Sequence, residues 1–135
     1  MPLYTISTDE PLAPEAKLAA AKMITDTHCG HTGAPRTFVN VLYYQNVPLR
    51  PGVKLDIFGS VRGGRTLEAN NNIERDMVAR MATIAGYQSH EIEFSYIEVS
   101  ASWIMEGGAV LPEPGEEEAW LAKHHPEAQA VPATR

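Results

Sequence analysis

The sequence is short of cysteine, of basic residues and of long apolar runs. Its one cysteine, Cys29, cannot form a disulfide within the chain, which fits a reducing compartment. The first residues lack the basic and apolar regions of a signal peptide, so we expect a cytoplasmic protein. No stretch reaches the roughly 18 apolar residues that a transmembrane helix needs, and we expect no membrane span.

Basic residues are outnumbered by acidic ones. Eleven Lys and Arg residues stand against seventeen Asp and Glu residues, which gives a formal net charge of −6. Nucleic acids and anionic membranes are bound through basic surfaces, so the charge balance argues against both as partners. The remaining composition, with 44% hydrophobic residues in 135, is typical of one small globular domain.

The same order of elements occurs twice along the chain. A strand at residues 3–7, a helix at 15–28 and a strand at 37–44 are followed by a strand at 53–61, a helix at 66–85 and a strand at 92–99. We therefore predict an α/β (α+β) fold of two β-α-β units, about 2–44 and 53–99, with four strands in one sheet and two helices on one face. The uncovered sheet face and edges indicate oligomerisation.

The domain organisation predicted from this pattern is simple. Residues 1–115 form a single domain, and residues 116–135 form a short carboxy-terminal helix followed by a loose tail. In the first helix, 3-4-3 spacing predicts a shared face made of Leu18, Ala21, Thr25 and His28. In the second helix, the apolar face is predicted to contain Ile73, Met77, Met81 and Ile84.

Pro2 is a candidate catalytic residue. Removal of an initiator Met before a residue as small as proline leaves a free secondary amine at the start of the first strand. An exposed α-amino group has a pKa of about 7.7–8, and burial in an apolar pocket lowers the pKa of an amine into the range of a base at neutral pH. The alternative is that the Met-Pro start has no functional meaning.

Arg62 and Arg65 flank Gly63-Gly64 where a strand leads into a helix. Two guanidinium groups near the positive end of a helix would bind a carboxylate or a phosphate. A pair of solvated surface arginines is the alternative. The spacing matches neither a phosphate-binding P-loop nor a dinucleotide fingerprint.

His28 lies in the last predicted turn of the first helix, where the helix dipole favours a cationic imidazole that could bind an anion. A histidine that only caps the helix is the alternative. Glu106, before Gly107-Gly108, could polarise a water or tune a neighbouring amine. The cluster around Cys29 has poor geometry for zinc, and we predict neither a metal site nor a cofactor.

Taken together, these residues resemble the tautomerase superfamily, and more narrowly its cis-3-chloroacrylic acid dehalogenase subgroup. The resemblance covers about residues 2–120 and runs in the expected order. Its blocks are Pro2, Ala16-Lys17, Ala21-Lys22, Ile24-Thr25-Asp26 with His28, Thr32-Gly33, Arg62 with Arg65, and Glu106 with Leu111-Pro112-Glu113-Pro114-Gly115.

The resemblance implies a homotrimer with one site per subunit near each amino-terminal proline. It further implies that the histidine and both arginines bind the substrate carboxylate, here His28, Arg62 and Arg65. In the subgroup, a glutamate and a tyrosine activate water for attack at C3, and the prolyl ammonium protonates C2. Halide then leaves, and malonate semialdehyde is formed. Pro2 and Glu106 match the proline and the glutamate.

The subgroup tyrosine is not matched. Counting back from Glu106 places Ser95 at its position, with Tyr96 one residue further on and, by strand alternation, on the opposite face. A serine hydroxyl does not reach as far as a phenol, so water activation is impaired unless a bulge redirects Tyr96. Phe38 and Trp103 are candidates for an apolar wall of the pocket, with core or interface packing as the alternative.

Three functions follow from these residues. The favoured one is a tautomerase-type enzyme that acts on small enol or 2-oxo carboxylates, because Pro2, His28 and the arginine pair suffice for it. Slow hydration or dehalogenation of three-carbon acids would be a side activity. The second is a cis-3-haloacrylate dehalogenase or hydratase that uses a water activated by Glu106. The third is a non-catalytic trimeric interaction protein on the same scaffold.

Overall fold

Residues 2–126 are described in the computed structural model of the chain, and most of them belong to helices or strands. Met1 and residues 127–135 of the predicted tail lie outside the described residues. The elements in chain order are β1 (Leu3–Thr8), α1 (Pro14–Thr32), β2 (Asn40–Tyr44), β3 (Leu55–Arg62), α2 (Leu67–Ala85), β4 (Ile92–Val99), β5 (Met105–Glu106), β6 (Ala109–Val110) and α3 (Glu117–His124).

The chain divides into two compact units. The first comprises the described residues up to Val61 and residues 65–97, and the second comprises residues 62–64 and those from Glu98 onward. The first unit therefore contains the larger part of the sheet with α1 and α2, and the second contains the β5–β6 hairpin and α3. The predicted domain boundary at residue 115 stays a prediction.

The four-stranded sheet has the order β2-β1-β3-β4. Strands β1 and β2 are parallel and are joined through α1, as the predicted crossover requires, and β1 and β3 are antiparallel. Residues on β1 alternate between half-buried and buried, with Tyr4 and Ile6 in the core. The buried side chains of both long helices belong to that same core, so the predicted fold of two β-α-β units is confirmed.

Helix α1 begins with Pro14 in its first turn and ends at Gly33. Of the residues predicted to share its buried face, only His28 is buried, and Leu18 is 75% exposed. Met23 and Ile24 are buried instead. The first half of α1 is rich in alanine, so hydrophobicity distinguishes its faces poorly. The two bulky apolar residues in the second half determine which side packs on the sheet.

Helix α2 has the start and the core face that the sequence predicts. The hydroxyl of Thr66 accepts a hydrogen bond from the backbone N–H of Ala69 at 3.1 Å, which caps the helix immediately after Arg65. Ile73 and Met77 are buried, as is Met81 one turn later. No helix among residues 2–126 is long and apolar enough to cross a membrane.

One face of the sheet carries exposed apolar side chains. Leu42 and Tyr44 of β2 and Ile97 of β4 are each close to half exposed, and they alternate with residues that pack into the core. We call these three residues the open-face patch. An apolar sheet face of this kind is typical of surfaces that are covered on assembly.

Candidate active site

Pro2 is buried at the beginning of β1. Its carbonyl accepts a hydrogen bond from the backbone N–H of Asn40 at 3.0 Å, which ties the residue to the start of β2. Because side chains alternate along a strand, Pro2 lies on the same face as Tyr4, toward the core that the helices cover. The first strand thus holds the predicted catalytic proline in an apolar environment.

Tyr4 contacts His28, which extends from α1 into the core. The phenol oxygen of Tyr4 lies 2.8 Å from Nδ1 of His28, and the two rings meet edge to face with centroids 5.7 Å apart. Tyr4 is 1% exposed and His28 is fully buried. The other imidazole nitrogen, Nε2, has no hydrogen-bond partner among the described residues.

Gly59 provides the space that the ring of Tyr4 occupies. It is the residue of β3 directly opposite Tyr4 in the antiparallel register. A methyl group at this position would lie 2.9 Å from Cε1 of Tyr4, closer than side-chain atoms approach one another. The absence of a side chain at Gly59 is therefore what allows the phenol to lie flat on the sheet and reach His28.

A small cavity of about 10 Å³ lies beside this pair. Its polar and charged lining comes from both long helices and from the segment before α2, and it includes His28, Arg65 and the buried Asn70. A volume of this order is about what one water molecule needs. The structure therefore brings His28 and Arg65 to one cavity in the first unit, and their role as carboxylate ligands stays a prediction.

The imidazole of His28 is neutral at neutral pH. Burial, and to a smaller extent the positive charge of Arg65, lowers the pKa of His28 to about 3. The expectation that the helix dipole holds this histidine in its cationic form is wrong, because the cost of burying the charge exceeds the effect of the helix end. His28 can donate or accept a hydrogen bond, but it does not supply a positive charge.

Tyr96, and not Ser95, faces this cavity. The two residues are neighbours on β4 and point to opposite faces of the sheet. Tyr96 is half-buried and lines the cavity together with Phe94, whereas Ser95 is exposed. Alternation alone places the phenol on the side of His28, and no bulge is needed.

Arg62 belongs to the second unit, where it is engaged by residues of the carboxy-terminal segment. Its guanidinium donates to the carbonyl oxygen of Pro112 at 2.9 Å and forms an ion pair with Glu117 of α3. Burial opposes ionisation of Glu117, but its own backbone N–H, Arg62 and the N–H of Gly115 outweigh this and lower the pKa of Glu117. An incoming carboxylate would have to compete with Glu117 for Arg62.

Glu106 is positioned by a tight hairpin of the second unit. It pairs with Ala109 across the β5–β6 turn, and the two turn residues, Gly107 and Gly108, have positive φ angles of 57° and 80°. Two-residue hairpin turns that need positive φ at both positions favour glycine there. The carboxylate of Glu106 is half-buried. Glu106 therefore lies on a strand of a hairpin closed by Gly107 and Gly108.

The two candidate wall residues differ in exposure. Trp103, in the second unit, is 79% exposed, and Phe38, in the first, is half-buried in a short 3-10 turn. Neither lines the cavity beside His28. Within residues 2–126, no three His, Cys, Asp or Glu side chains come together in a way that could hold a metal ion.

Comparison with solved structures identifies the architecture. N1, described as a member of the cis-3-chloroacrylic acid dehalogenase family, matches with a TM-score of 0.83 and 23% identity over 94% of this chain and 95% of its own. Pt0534, solved after inactivation by 2-oxo-3-pentynoate, matches with a TM-score of 0.73 and 20% identity over 87% and 98% of the two chains. A wild-type fused 4-OT, F6, solved as an asymmetric trimer, matches with a TM-score of 0.73 and 16% identity over 87% and 98%.

The chain has the tautomerase fold. The resemblance that the sequence predicts is confirmed at this level, since the structural neighbours are members of the dehalogenase family and of the tautomerase superfamily. No family model matches the sequence, and no curated protein matches it closely enough to count. Within this tautomerase fold, the site residues predicted from the sequence remain candidates.

Two residues at the cavity were missed by the sequence analysis. The sequence predicts Tyr4 only as part of the first strand and Asn70 only as part of the second helix. A signal for Tyr4 was present, because it stands two residues after Pro2 and alternation puts both on one face. A signal for Asn70 was present too, because it stands three residues before Ile73 and therefore on the predicted apolar face of α2, unlike Asn71.

Proposed function

We propose that this protein is a tautomerase-type enzyme that interconverts the enol and keto forms of small 2-oxo carboxylates, with Pro2 as general acid and base. After removal of Met1, the prolyl nitrogen takes the proton from the enol oxygen and delivers a proton to the adjacent carbon. The C=C bond becomes a C–C bond and the C–O bond becomes C=O, so the reaction needs neither water nor a cofactor.

The observation that supports this most is the burial of Pro2 on the strand face that also carries Tyr4. Burial lowers the pKa of an amine, which favours its use as a base near neutral pH. Tyr4 in turn contacts His28, and His28 and Arg65 share one small cavity. In this proposal Arg65 holds the substrate carboxylate by charge and His28 by a neutral hydrogen bond.

Arg62 is proposed as a second ligand of the carboxylate. Its ion pair with Glu117 lies within the second unit, so substrate binding at Arg62 requires exchange of one carboxylate for another. Glu117 and a 2-oxo acid both present a carboxylate to the guanidinium, so the exchange replaces one ion pair of Arg62 by another of the same kind.

The decisive experiment follows ketonisation of phenylenolpyruvate by ultraviolet absorbance. The protein is first shown by intact mass to begin at Pro2. We expect Pro2→Ala to lower kcat by at least about 10²-fold, since general acid–base catalysis contributes about that much. Pro11→Ala, an exposed proline in the loop after β1, is the matched control and should keep the wild-type rate. Equal rates for wild type and Pro2→Ala would refute the proposal.

A second candidate function is hydrolytic dehalogenation or hydration of cis-3-haloacrylates. The observation that favours it is that Tyr96 lines the cavity beside His28, where it could supply the phenol that Ser95 does not. In this reaction water adds its oxygen to C3, C2 gains a proton, and loss of halide leaves malonate semialdehyde. The water would be activated by Glu106 and Tyr96, and the proton would come from the Pro2 ammonium.

Chloride release from cis-3-chloroacrylate tests the second candidate. Wild type should release chloride, and Glu106→Gln should abolish release while leaving ketonisation of phenylenolpyruvate largely intact. Glu113→Gln removes an exposed carboxylate from the same segment and serves as the control. No chloride release by the wild type would leave tautomerisation as the only activity proposed.

Oligomerisation belongs to this proposal as well. The fused 4-OT neighbours are trimers, and the open-face patch of Leu42, Tyr44 and Ile97 gives this chain an apolar surface to cover. We propose a homotrimer. The third possibility, a trimer without chemistry, would be supported if neither substrate were turned over by protein that begins at Pro2.

A further inference from the structure

The contact between Tyr4 and His28 is a buried hydrogen bond between two groups that each carry one titratable proton. Tyr4 Oη and His28 Nδ1 are 2.8 Å apart, and solvent reaches neither side chain. Nε2 of the same imidazole is buried without a partner among the described residues. A buried polar atom left unpaired is uncommon and is often found where a ligand or a water completes the hydrogen bonding.

Both groups are neutral under ordinary conditions. Burial lowers the pKa of His28 to about 3, and burial raises the pKa of Tyr4 above its usual range. The pair therefore has two possible arrangements. Either the phenol O–H donates to Nδ1 and the imidazole proton is on Nε2, or Nδ1–H donates to the phenol oxygen and Nε2 carries a lone pair.

The chemistry of the two groups favours the first arrangement. A phenol O–H is a stronger acid than the N–H of a neutral imidazole, and an imidazole nitrogen is a stronger base than a phenol oxygen. The stronger donor therefore pairs with the stronger acceptor when the bond runs from O–H to Nδ1. This leaves Nε2–H as a buried donor that has no acceptor among residues 2–126.

We infer that Tyr4 is a positioning residue that fixes the tautomer of His28, so that Nε2–H is presented as a neutral donor to an oxygen of the substrate carboxylate. The inference rests on the proposed function, because it specifies how His28 contributes to that site. A cavity of about 10 Å³ accommodates one carboxylate oxygen and not a whole three-carbon acid, so the remainder of the substrate lies outside it.

The positive charge of Arg65 makes this arrangement selective for an anionic ligand. Arg65 lines the same cavity as His28 and its positive charge acts on that histidine, so it attracts an anion to which Nε2–H then adds a directed hydrogen bond. If Nε2 instead carried a lone pair, it would repel a carboxylate oxygen held by Arg65. The tautomer thus decides whether His28 helps or hinders binding, and Tyr4 decides the tautomer.

Long-range ¹H–¹⁵N NMR of the histidine ring nitrogens tests the tautomer directly and needs no enzymatic activity. In wild-type protein that begins at Pro2, we expect His28 to show a protonated Nε2 and an unprotonated Nδ1. In Tyr4→Phe we expect the share of the Nδ1–H form to rise, because no phenol then donates to Nδ1. A wild-type spectrum with the proton on Nδ1, or a tautomer unchanged in Tyr4→Phe, would overturn the inference.

Kinetics with phenylenolpyruvate tests the consequence for binding. Tyr4→Phe should raise KM about tenfold, as expected for weakening one hydrogen bond to a charged group, and should change kcat much less. In the background of His28→Gln, the same substitution should have little further effect on KM. A Tyr4→Phe effect confined to kcat, or one that is undiminished in the His28→Gln background, would contradict the positioning role.

Tyr43→Phe is the matched control. The phenol of Tyr43 is half-buried and donates to the carbonyl oxygen of Lys17 at 2.6 Å, so this variant also loses one internal hydrogen bond of a tyrosine. It should change neither the tautomer of His28 nor KM. Absence of ketonisation in the wild type would count against the proposed function, while the NMR result would still decide whether Tyr4 sets the tautomer.

Discussion

At the scale of single residues, the neutral imidazole of His28 links the stability of the core to pH. In the unfolded chain a histidine has a pKa of about 6.5, whereas burial beside Arg65 lowers the pKa of His28 to about 3 in the folded protein. Between these values the unfolded state binds more protons than the folded state. The free energy of unfolding therefore contains a contribution that is complete above about pH 6.5 and is lost as the pH falls toward 3.

We expect wild-type protein to lose about 1.4 kcal/mol of stability through His28 between about pH 7.5 and about pH 5.5. Urea unfolding at both values, at one fixed protein concentration, measures the difference. His28→Gln should unfold with a correspondingly smaller change over the same interval. His90→Gln, an exposed histidine, should retain the wild-type change. Equal pH dependence in wild type and His28→Gln would show that this imidazole binds its proton as readily in the folded state as in the unfolded state.

The sequence identified candidate residues, but it could not predict the charge of His28 or the side of the sheet that Tyr96 faces. Pro2, His28 and Arg65 lie in the first unit on or beside the helix-covered face, and their roles in catalysis and carboxylate binding stay predictions. The charge of His28 was not predictable, because its pKa depends on burial by β1, which is distant in sequence. Tyr96 was undervalued for a similar reason, since counting positions from Glu106 cannot show which face of β4 meets the cavity.

At the scale of elements, the start of α2 connects helix stability to the site. Arg65 precedes Thr66, whose side chain caps the helix, and Asn70 lies one turn into it. Loss of the cap would leave backbone N–H groups of the first turn without an acceptor and would loosen the segment that carries Arg65. Helix capping and the proposed carboxylate binding therefore depend on adjacent residues.

Replacement of the cap tests this connection. Thr66→Ala should lower the free energy of unfolding by about 1 kcal/mol and should also raise KM for phenylenolpyruvate. Thr83→Ala makes the same chemical change near the end of α2, at an exposed position, and should alter stability by no more than about 0.5 kcal/mol. Unfolding curves and steady-state kinetics of the two variants separate the cap from a general effect of removing a threonine. A Thr66→Ala enzyme as stable as Thr83→Ala would rule out the cap.

Elements were predicted with unequal success for a physical reason. Thr66 and Gly86 mark the ends of α2 and its apolar residues recur at regular spacing, so both limits and face were predicted. In α1, alanines occur on several sides, and Leu18 is exposed although it is strongly apolar. Packing on the sheet selects the face that carries Met23 and Ile24, and this selection is a tertiary effect that helical spacing alone does not contain.

At the scale of the whole molecule, the first unit leaves exposed apolar side chains on one side of its sheet, on the edge strands β2 and β4. The open-face patch of Leu42, Tyr44 and Ile97 is what four strands under two helices must leave, and the sequence predicted such a face from the element count alone. That other copies of the chain cover this face could be predicted only from the resemblance to the tautomerase superfamily, which implies a homotrimer. Exposed side chains of this size are costly in water, which favours their burial between copies of the chain.

A charge in the patch should disrupt the assembly. We expect Leu42→Glu to convert the proposed trimer into smaller species, measured as molar mass by light scattering during size-exclusion chromatography. Leu18→Glu introduces the same charge at a leucine that is 75% exposed on α1 and should leave the mass unchanged. A wild-type protein that elutes as a monomer, or a Leu42→Glu protein that keeps the wild-type mass, would contradict the assembly through this face.

The pairing of Tyr4 with Gly59 has an evolutionary consequence. Because a methyl group at Gly59 would press on the ring of Tyr4, the two positions cannot vary independently. A descendant that gains a side chain at position 59 has to give up the aromatic ring at position 4 or move it away from His28. Sequences related to this one should therefore have a side chain at position 59 only where position 4 has lost or moved the ring, and a mutant library should randomise the two codons together.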